Sequence, residues 1–228
     1  MLTLSVVMPV FNERNTVQKI VQAVQAVPLK KEIIIVDDGS TDGTRELIRQ
    51  RFAGQQGFNV IFHEKNKGKG AAIRTGIGAA SGDVLIIQDA DLEYDPMDYL
   101  PLVQALEKNG VNVVFGSRFM AGKRVTSPWH RAVNYLLTAL TNALYGSRLT
   151  DMETGYKLFR TRTLKDLSLS SDGFEIEVEL TAKALKTGEK ILEIPVSYKG
   201  RSYHEGKKIG WKDGIKAVAS IWKFRFSS

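Results

Sequence analysis

Short aliphatic, β-branched runs alternate along this chain with segments whose apolar residues recur every three or four positions. Leu4–Val10, Glu32–Val36, Asn59–Phe62, Val84–Gln88 and Val111–Phe115 read as buried strands, each bounded by polar residues or glycine. Between the first two, Val17, Ile20, Val21 and Val24 fall at i, i+3, i+4 and i+7, which predicts a helix with Asn12 or Asn15 as its N-cap. Asp95-Pro96 starts another helix with proline in its first turn, and Asn109-Gly110 ends it. Strand–helix alternation of this kind predicts an α/β fold, an open and mainly parallel sheet with helices on both faces. No internal repeat or low-complexity linker interrupts it.

Composition narrows the class. The chain has 228 residues, 43% hydrophobic and 25% charged, which suits one sizeable folded domain and excludes wholesale disorder. It has no cysteine, so disulfides and thiolate metal sites are excluded and a reducing compartment is expected. No basic region precedes the first apolar run and no small-residue cleavage site follows it, so no signal peptide is expected. Ala132–Leu144 is the longest candidate for a membrane span, but Asn134, Thr138, Thr141 and Asn142 interrupt it along one helical face. The net charge of +7 is concentrated at one end: from Lys199 to Ser228, eight Lys or Arg face only Glu205 and Asp213. Such an end suits nucleic acid, anionic lipid, a phosphorylated substrate or simply solvent.

Ligands of open α/β sheets bind at the carboxyl ends of the strands. Here those ends carry Pro9–Glu13, Asp37–Asp42, Glu64–Gly70, Asp89–Glu93 and Gly116–Arg118, several of them acidic. Asp89-Ala90-Asp91 is the sharpest signal. Two carboxylates one residue apart at a strand end repel each other, and a divalent cation with a taste for hard oxygen ligands, Mg²⁺ or Mn²⁺, relieves that repulsion while neutralising a diphosphate. An acid after the second strand, as in Asp37-Asp38, also occurs in dinucleotide-binding folds, but those need a glycine-rich turn after the first strand, where this chain has Pro-Val-Phe-Asn-Glu. No Walker A pattern is present either. A sugar-1-phosphate nucleotidyltransferase would want a glycine-rich basic loop at the same place. His63, His130 and His204 have no ligand spacing and receive no catalytic role. Glu175, Glu177 and Glu179 open an apparent helix, where acids complement the dipole.

Taken in order, Val6–Glu13, Val36–Thr44, Asn66-Lys-Gly-Lys-Gly70, Gln88–Glu93, Asp151-Met-Glu-Thr-Gly-Tyr-Lys157 and Arg201 followed by Glu205–Gly210 resemble glycosyltransferase family two, with its A-type nucleotide-diphospho-sugar transferase fold. Within it the likeness is to the dolichyl-phosphate mannose and polyprenyl-phosphate sugar synthases. The resemblance implies that Pro9, Phe11, Glu13 and Asp38 hold the base and ribose, Asp38 by accepting from a base N–H. Lys69 and Ala90 would line the donor with Asp89 and Asp91, and Glu93 would complete a metal shell of Asp89, Asp91 and Glu93 around Mg²⁺ or Mn²⁺. Arg118, Arg131, Arg201 and Lys208 would surround the acceptor phosphate, with Asp89, Asp91, Arg118 and Lys208 carrying catalysis.

The resemblance further implies an inverting transfer from a GDP- or UDP-sugar to a polyprenyl or dolichyl phosphate, with a soluble or saccharide acceptor as the alternative. A phosphate monoester is largely ionised at neutral pH and needs little help from a base. A hydroxyl acceptor would need one, with Asp89 the first candidate. The expected organisation is a catalytic domain over 1–210 and a basic amphipathic helix over 211–228, in which Trp211, Ile215, Val218 and Trp222 recur at helical spacing. The transmembrane helices of some relatives have no counterpart here, so a cytoplasmic protein lying peripherally on the inner face of the membrane is expected, with no nucleic-acid partner.

Overall fold

The structure, a computed structural model, describes residues 2–120, 128–200 and 211–226. Seven strands form one sheet: β1 (Leu4–Val10), β2 (Lys31–Asp37), β3 (Phe58–Phe62), β4 (Val84–Ile87), β5 (Val113–Ser117), β6 (Lys157–Arg160) and β7 (Ile191–Pro195). Their order is β3-β2-β1-β4-β6-β5-β7. All neighbours run parallel except β6, which lies antiparallel between β4 and β5. The five expected strands are present with ends shifted by up to two residues; β6 and β7 join them.

The central strands are apolar on both sides, as a sheet covered on both faces requires. Val6, Met8 and Val10 of β1 face one cluster, which includes Val17, Ile20, Val21 and Val24 of helix α1 (Val17–Ala26) and Leu102 and Leu106 of α4 (Tyr99–Asn109). Val7 faces the other, with Ile73 and Ile77 of α3 (Lys69–Ala79). Helix α3 lies close against the sheet: a Cβ added at Gly76 would sit 2.3 Å from Cγ1 of Val7. Short helices α2 (Thr44–Arg51) and α6 (Thr161–Asp166) complete this α/β framework.

Helix α4 begins as expected. Asp95 accepts from the amide of Met97, Pro96 opens a 3-10 turn over Pro96–Asp98, and Gly110 ends the helix in the left-handed conformation at φ 60°. The N-cap of α1 differs. Thr16 occupies that position, while the Asn12 side chain accepts from the amide of Thr41 in the neighbouring loop.

Three longer helices cover the second face: α5 (Pro128–Tyr145), α7 (Ile176–Lys186) and α8 (Trp211–Phe226). Ala217, Ile221 and Phe224 of α8 are buried in the second cluster, and the hydroxyl of Tyr145 donates to the carbonyl of Ile221 at 2.9 Å. The expected stripe holds at Val218, which packs partly buried against this cluster, and fails at Trp222; the side chains of Trp211 and Ile215 lie outside the described residues. Ala217, Ile221 and Phe224 face inward, and Trp222 is 47% exposed. No helix among the described residues is long and apolar enough to cross a membrane.

Candidate active site

Five loops meet at the carboxyl ends of the strands. The first two are fastened to each other: the amide of Asn12 donates to Ser40 Oγ at 3.0 Å and the amide of Glu13 to Thr44 Oγ1 at 3.0 Å. Asn12 adopts a left-handed φ of 54°, which Asn tolerates better than most residues. This brings the Phe11–Glu13 segment and the Asp38 loop side by side. Asp38 itself is buried. Its Oδ1 accepts from the amide of Lys67 at 2.9 Å and from His63 Nδ1 at 2.7 Å, and its Oδ2 accepts from the amide of Gly68 at 2.8 Å. Gly39 lets the loops approach this closely: its φ is +76°, and a Cβ there would lie 2.5 Å from the Asn66 nitrogen.

The acidic centre rests on a buried polar and aromatic floor. The hydroxyls of Tyr99 and Tyr156 both donate to Gln88 Oε1, and Gln88 Nε2 donates to the carbonyl of Asp89 at 2.9 Å. Tyr94 stacks on Tyr156 with ring centroids 4.3 Å apart, and its hydroxyl receives the amide of Gly155 at 2.8 Å. Burial raises the pKa of all three tyrosines, which keeps them protonated donors.

Asp89 does not wait for a cation. Lys69 Nζ stands 2.7 Å from its Oδ1 and 3.1 Å from Glu177 Oε1, while Glu177 Oε2 accepts from the fully buried Lys157 at 2.7 Å. The four charges alternate in sign through these contacts. Burial opposes the charges on Lys69 and Glu177, but their partners outweigh it, so the ammonium is held above its ordinary pKa and the carboxyl below its own. Glu177 thus does more than complement the dipole of α7: it belongs to the site. Glu179 is also buried and accepts from the amides of Ser170 and Ser171 and from Lys183.

Burial alone would raise the Glu179 pKa, but Lys183 and the serines bring it down to about 2. Its folded pKa is therefore depressed, so its stabilising contribution is present above the unfolded carboxylate range and is lost as pH falls towards about 2. Urea unfolding of Glu179→Gln against wild type should show a stability gap at pH 6 that narrows by pH 3. A gap independent of pH would refute the pairing.

The metal shell is only partly assembled as expected. Asp91 bends back on its own turn, accepting from the amide of Glu93 at 3.2 Å, and the Glu93 carboxylate instead accepts from the Tyr198 hydroxyl at 2.7 Å. Among the described residues no three acidic or histidine side chains come together to hold an ion, so Glu93 is not part of a preformed trio with Asp89 and Asp91. Two aspartates still fit the donor chemistry of Mg²⁺, which is often bound through one or two carboxylates plus substrate phosphates.

Arg118 also departs from expectation. Its side chain is buried and makes a fork on Asp151, Nε to Oδ2 and Nη2 to Oδ1, each 2.7 Å, and it lies 5.2 Å from the Tyr198 ring centroid. Two of its five donors are thus committed to structure. Glu153, on the same loop as Asp151, has an Oε1 that is buried without a hydrogen-bond partner among the described residues, and burial pushes its carboxyl upward. Arg131 is exposed on α5. Arg201 and Lys208 lie outside the described residues. Pro9 and Ala90 are buried beside the crevice loops.

Comparison with known proteins settles the family. The model for glycosyl transferase family 2 matches residues 5–168. The chain belongs to this family. Among relatives of this glycosyltransferase, the dolichol-phosphate mannosyltransferase of Pyrococcus furiosus is 29% identical over 212 residues, covering 90% of this chain and 59% of the relative. The polyprenol monophosphomannose synthase of Mycolicibacterium smegmatis is 30% identical over 214 residues, covering 90% and 80%. The undecaprenyl-phosphate mannosyltransferase of Micrococcus luteus is 28% identical over 226 residues, covering 96% and 92%. The chain therefore spans less than two thirds of the first of these and most of the other two. The fold matches the crystal structure of Mycobacterium tuberculosis glucosyl-3-phosphoglycerate synthase in complex with Mn²⁺, UDP and phosphoglyceric acid, with a TM-score of 0.72 and 23% identity over 100% of this chain and 80% of that one.

Proposed function

We propose that this glycosyltransferase moves a sugar from a GDP- or UDP-sugar to the phosphate of a polyprenyl or dolichyl phosphate, with inversion and with a divalent metal. The observation that carries the acceptor is the likeness along 90% or more of the chain to enzymes named for polyprenyl- or dolichol-phosphate acceptors. The metal, when bound, would neutralise the diphosphate leaving group, and Asp89 and Asp91 would hold it. The protein supplies the alignment. Lys69 and Gln88 fix Asp89 from the side and from below, Tyr94 and Gly155 close the floor, and Asp151 holds Arg118 beside Tyr198. The lipid phosphate brings its own negative charge to the anomeric carbon, so alignment and charge neutralisation carry the rate. Incubation with a labelled nucleotide sugar and polyprenyl phosphate in detergent should move label into the organic phase. No label in the lipid, with transfer seen when phosphoglyceric acid or a free sugar is offered in parallel, would overturn the lipid acceptor.

The membrane side of this proposal rests on two exposed helix faces. Tyr135 and Leu136 of α5 are 77% and 65% exposed, and on α8 Trp222 stacks on Phe226, which is 72% exposed. Arg131, Lys216, Lys223 and Arg225 are exposed on the same two helices. Aromatic groups at headgroup depth flanked by cations suit an anionic leaflet, with about 1 kcal/mol from each nearby Lys or Arg. Removing α8 outright would uncover Ala217, Ile221 and the core behind them, so point changes are the better probe. Trp222→Ser with Phe226→Ser should lower co-sedimentation with anionic liposomes several-fold without lowering the melting temperature. Unchanged pelleting would remove this face from the membrane.

A further inference from the structure

His63 received no role from the sequence, yet it is buried against Asp38, the residue proposed to meet the base. It follows β3 directly, and its amide donates to the carbonyl of Asp37 at 2.9 Å. The ring is buried between three segments: Nδ1 meets Asp38 Oδ1 at 2.7 Å, and Nε2 meets Thr75 Oγ1 of α3 at 3.0 Å. An ionised carboxylate can only accept, so Nδ1 carries the hydrogen and donates it to Asp38. The three donors His63, Lys67 and Gly68 fill three of the roughly four acceptor sites a carboxylate offers. The remaining site is on Oδ2.

We infer that His63 is a positioning residue for nucleobase selection. By holding Asp38 Oδ1, with Thr75 bracing the far side of the ring, it leaves one aimed acceptor on Oδ2 for a base that presents a ring N–H. Uracil and guanine present such a hydrogen on their pairing edge. Cytosine and adenine present a ring nitrogen lone pair there, which the carboxylate repels. The inference rests on the nucleotide-sugar donor proposed above, but it concerns which bases that site admits and which side chain enforces the choice. A buried polar site built to meet one hydrogen-bond pattern discriminates strongly against a ligand that lacks it.

The test is calorimetric titration of UDP, GDP, CDP and ADP with MnCl₂ into the full chain. Wild type should prefer UDP or GDP to both CDP and ADP by about tenfold or more, the scale of one charge-assisted hydrogen bond. His63→Ala should weaken the preferred nucleotide by about tenfold and leave CDP and ADP within about threefold, so that selectivity collapses. His63→Asn, whose amide can still donate towards Asp38, should restore part of the preference. A merely structural histidine would lower all four affinities alike, and that result would overturn the inference. If His63→Ala does not fold, Thr75→Val serves: reduced selectivity supports the bracing contact, and unchanged selectivity overturns it. Wild type that binds nucleoside diphosphates without preference contradicts the selection alone, whereas wild type that binds none contradicts the donor itself.

Discussion

Asp91→Ala is expected to abolish sugar transfer, by about a thousandfold or more, while the protein stays folded. A metal's stabilisation of a leaving diphosphate is worth several kcal/mol, and each ~1.4 kcal/mol is a factor of ten in rate. Asp91 is partly exposed on a turn after β4, where its carboxylate accepts from the amide of Glu93. Its loss should therefore cost less than about 1 kcal/mol of stability. Nucleotide affinity should fall to the value wild type shows in excess chelator and no further. Full transfer by the mutant, or by wild type in chelator, would remove the metal from the proposed mechanism.

The largest expected effect on stability comes from the opposite side of the site. Asp151 is fully buried and meets both forks of Arg118 and its backbone amide. Asp151→Ala would leave a buried guanidinium without its counter-charge, which typically costs about 3–5 kcal/mol. Urea unfolding should show a large drop in midpoint at an unchanged slope. A loss below about 1 kcal/mol would mean that Arg118 finds solvent or another partner, and would return it to the acceptor side as a mobile cation.

These two cases mark what the sequence makes legible. Asp89 and Asp91 were visible because a strand run leads directly into them, and the position of a loop at a strand end follows from topology alone. Strands β1, β2, β4 and β5 are legible because a strand buried on both faces is a continuous apolar run, whereas β3, at the sheet's edge, is apolar but only partly buried. Strand β6 was hidden: it starts with Lys157, a charge that reads as a loop residue, and its burial is possible only because Glu177, twenty residues later, meets it. Strand β7 carries Glu193 in its middle, whose carboxylate is used to receive the amides of Thr150 and Asp151. The same long-range pairing sets the partners of the site's side chains. Nothing local says that Arg118 will be spent on Asp151, that Glu93 will turn to Tyr198, or that Lys69 will lie against Asp89. A charged residue within an apolar run, such as Lys157 in Tyr-Lys-Leu-Phe, was the available signal that a buried partner existed elsewhere.

The central claim is that a lipid phosphate is the nucleophile, and the most direct measurement offers the enzyme a choice. Polyprenyl phosphate and the matching polyprenol, at equal concentration in the same detergent, are given a labelled GDP- or UDP-sugar with Mn²⁺, and the lipid products are resolved by mass spectrometry. The account predicts a polyprenyl phosphosugar of inverted anomeric configuration and no glycosylated polyprenol. Transfer to the alcohol, or a phosphosugar that retains the donor's configuration, would contradict it.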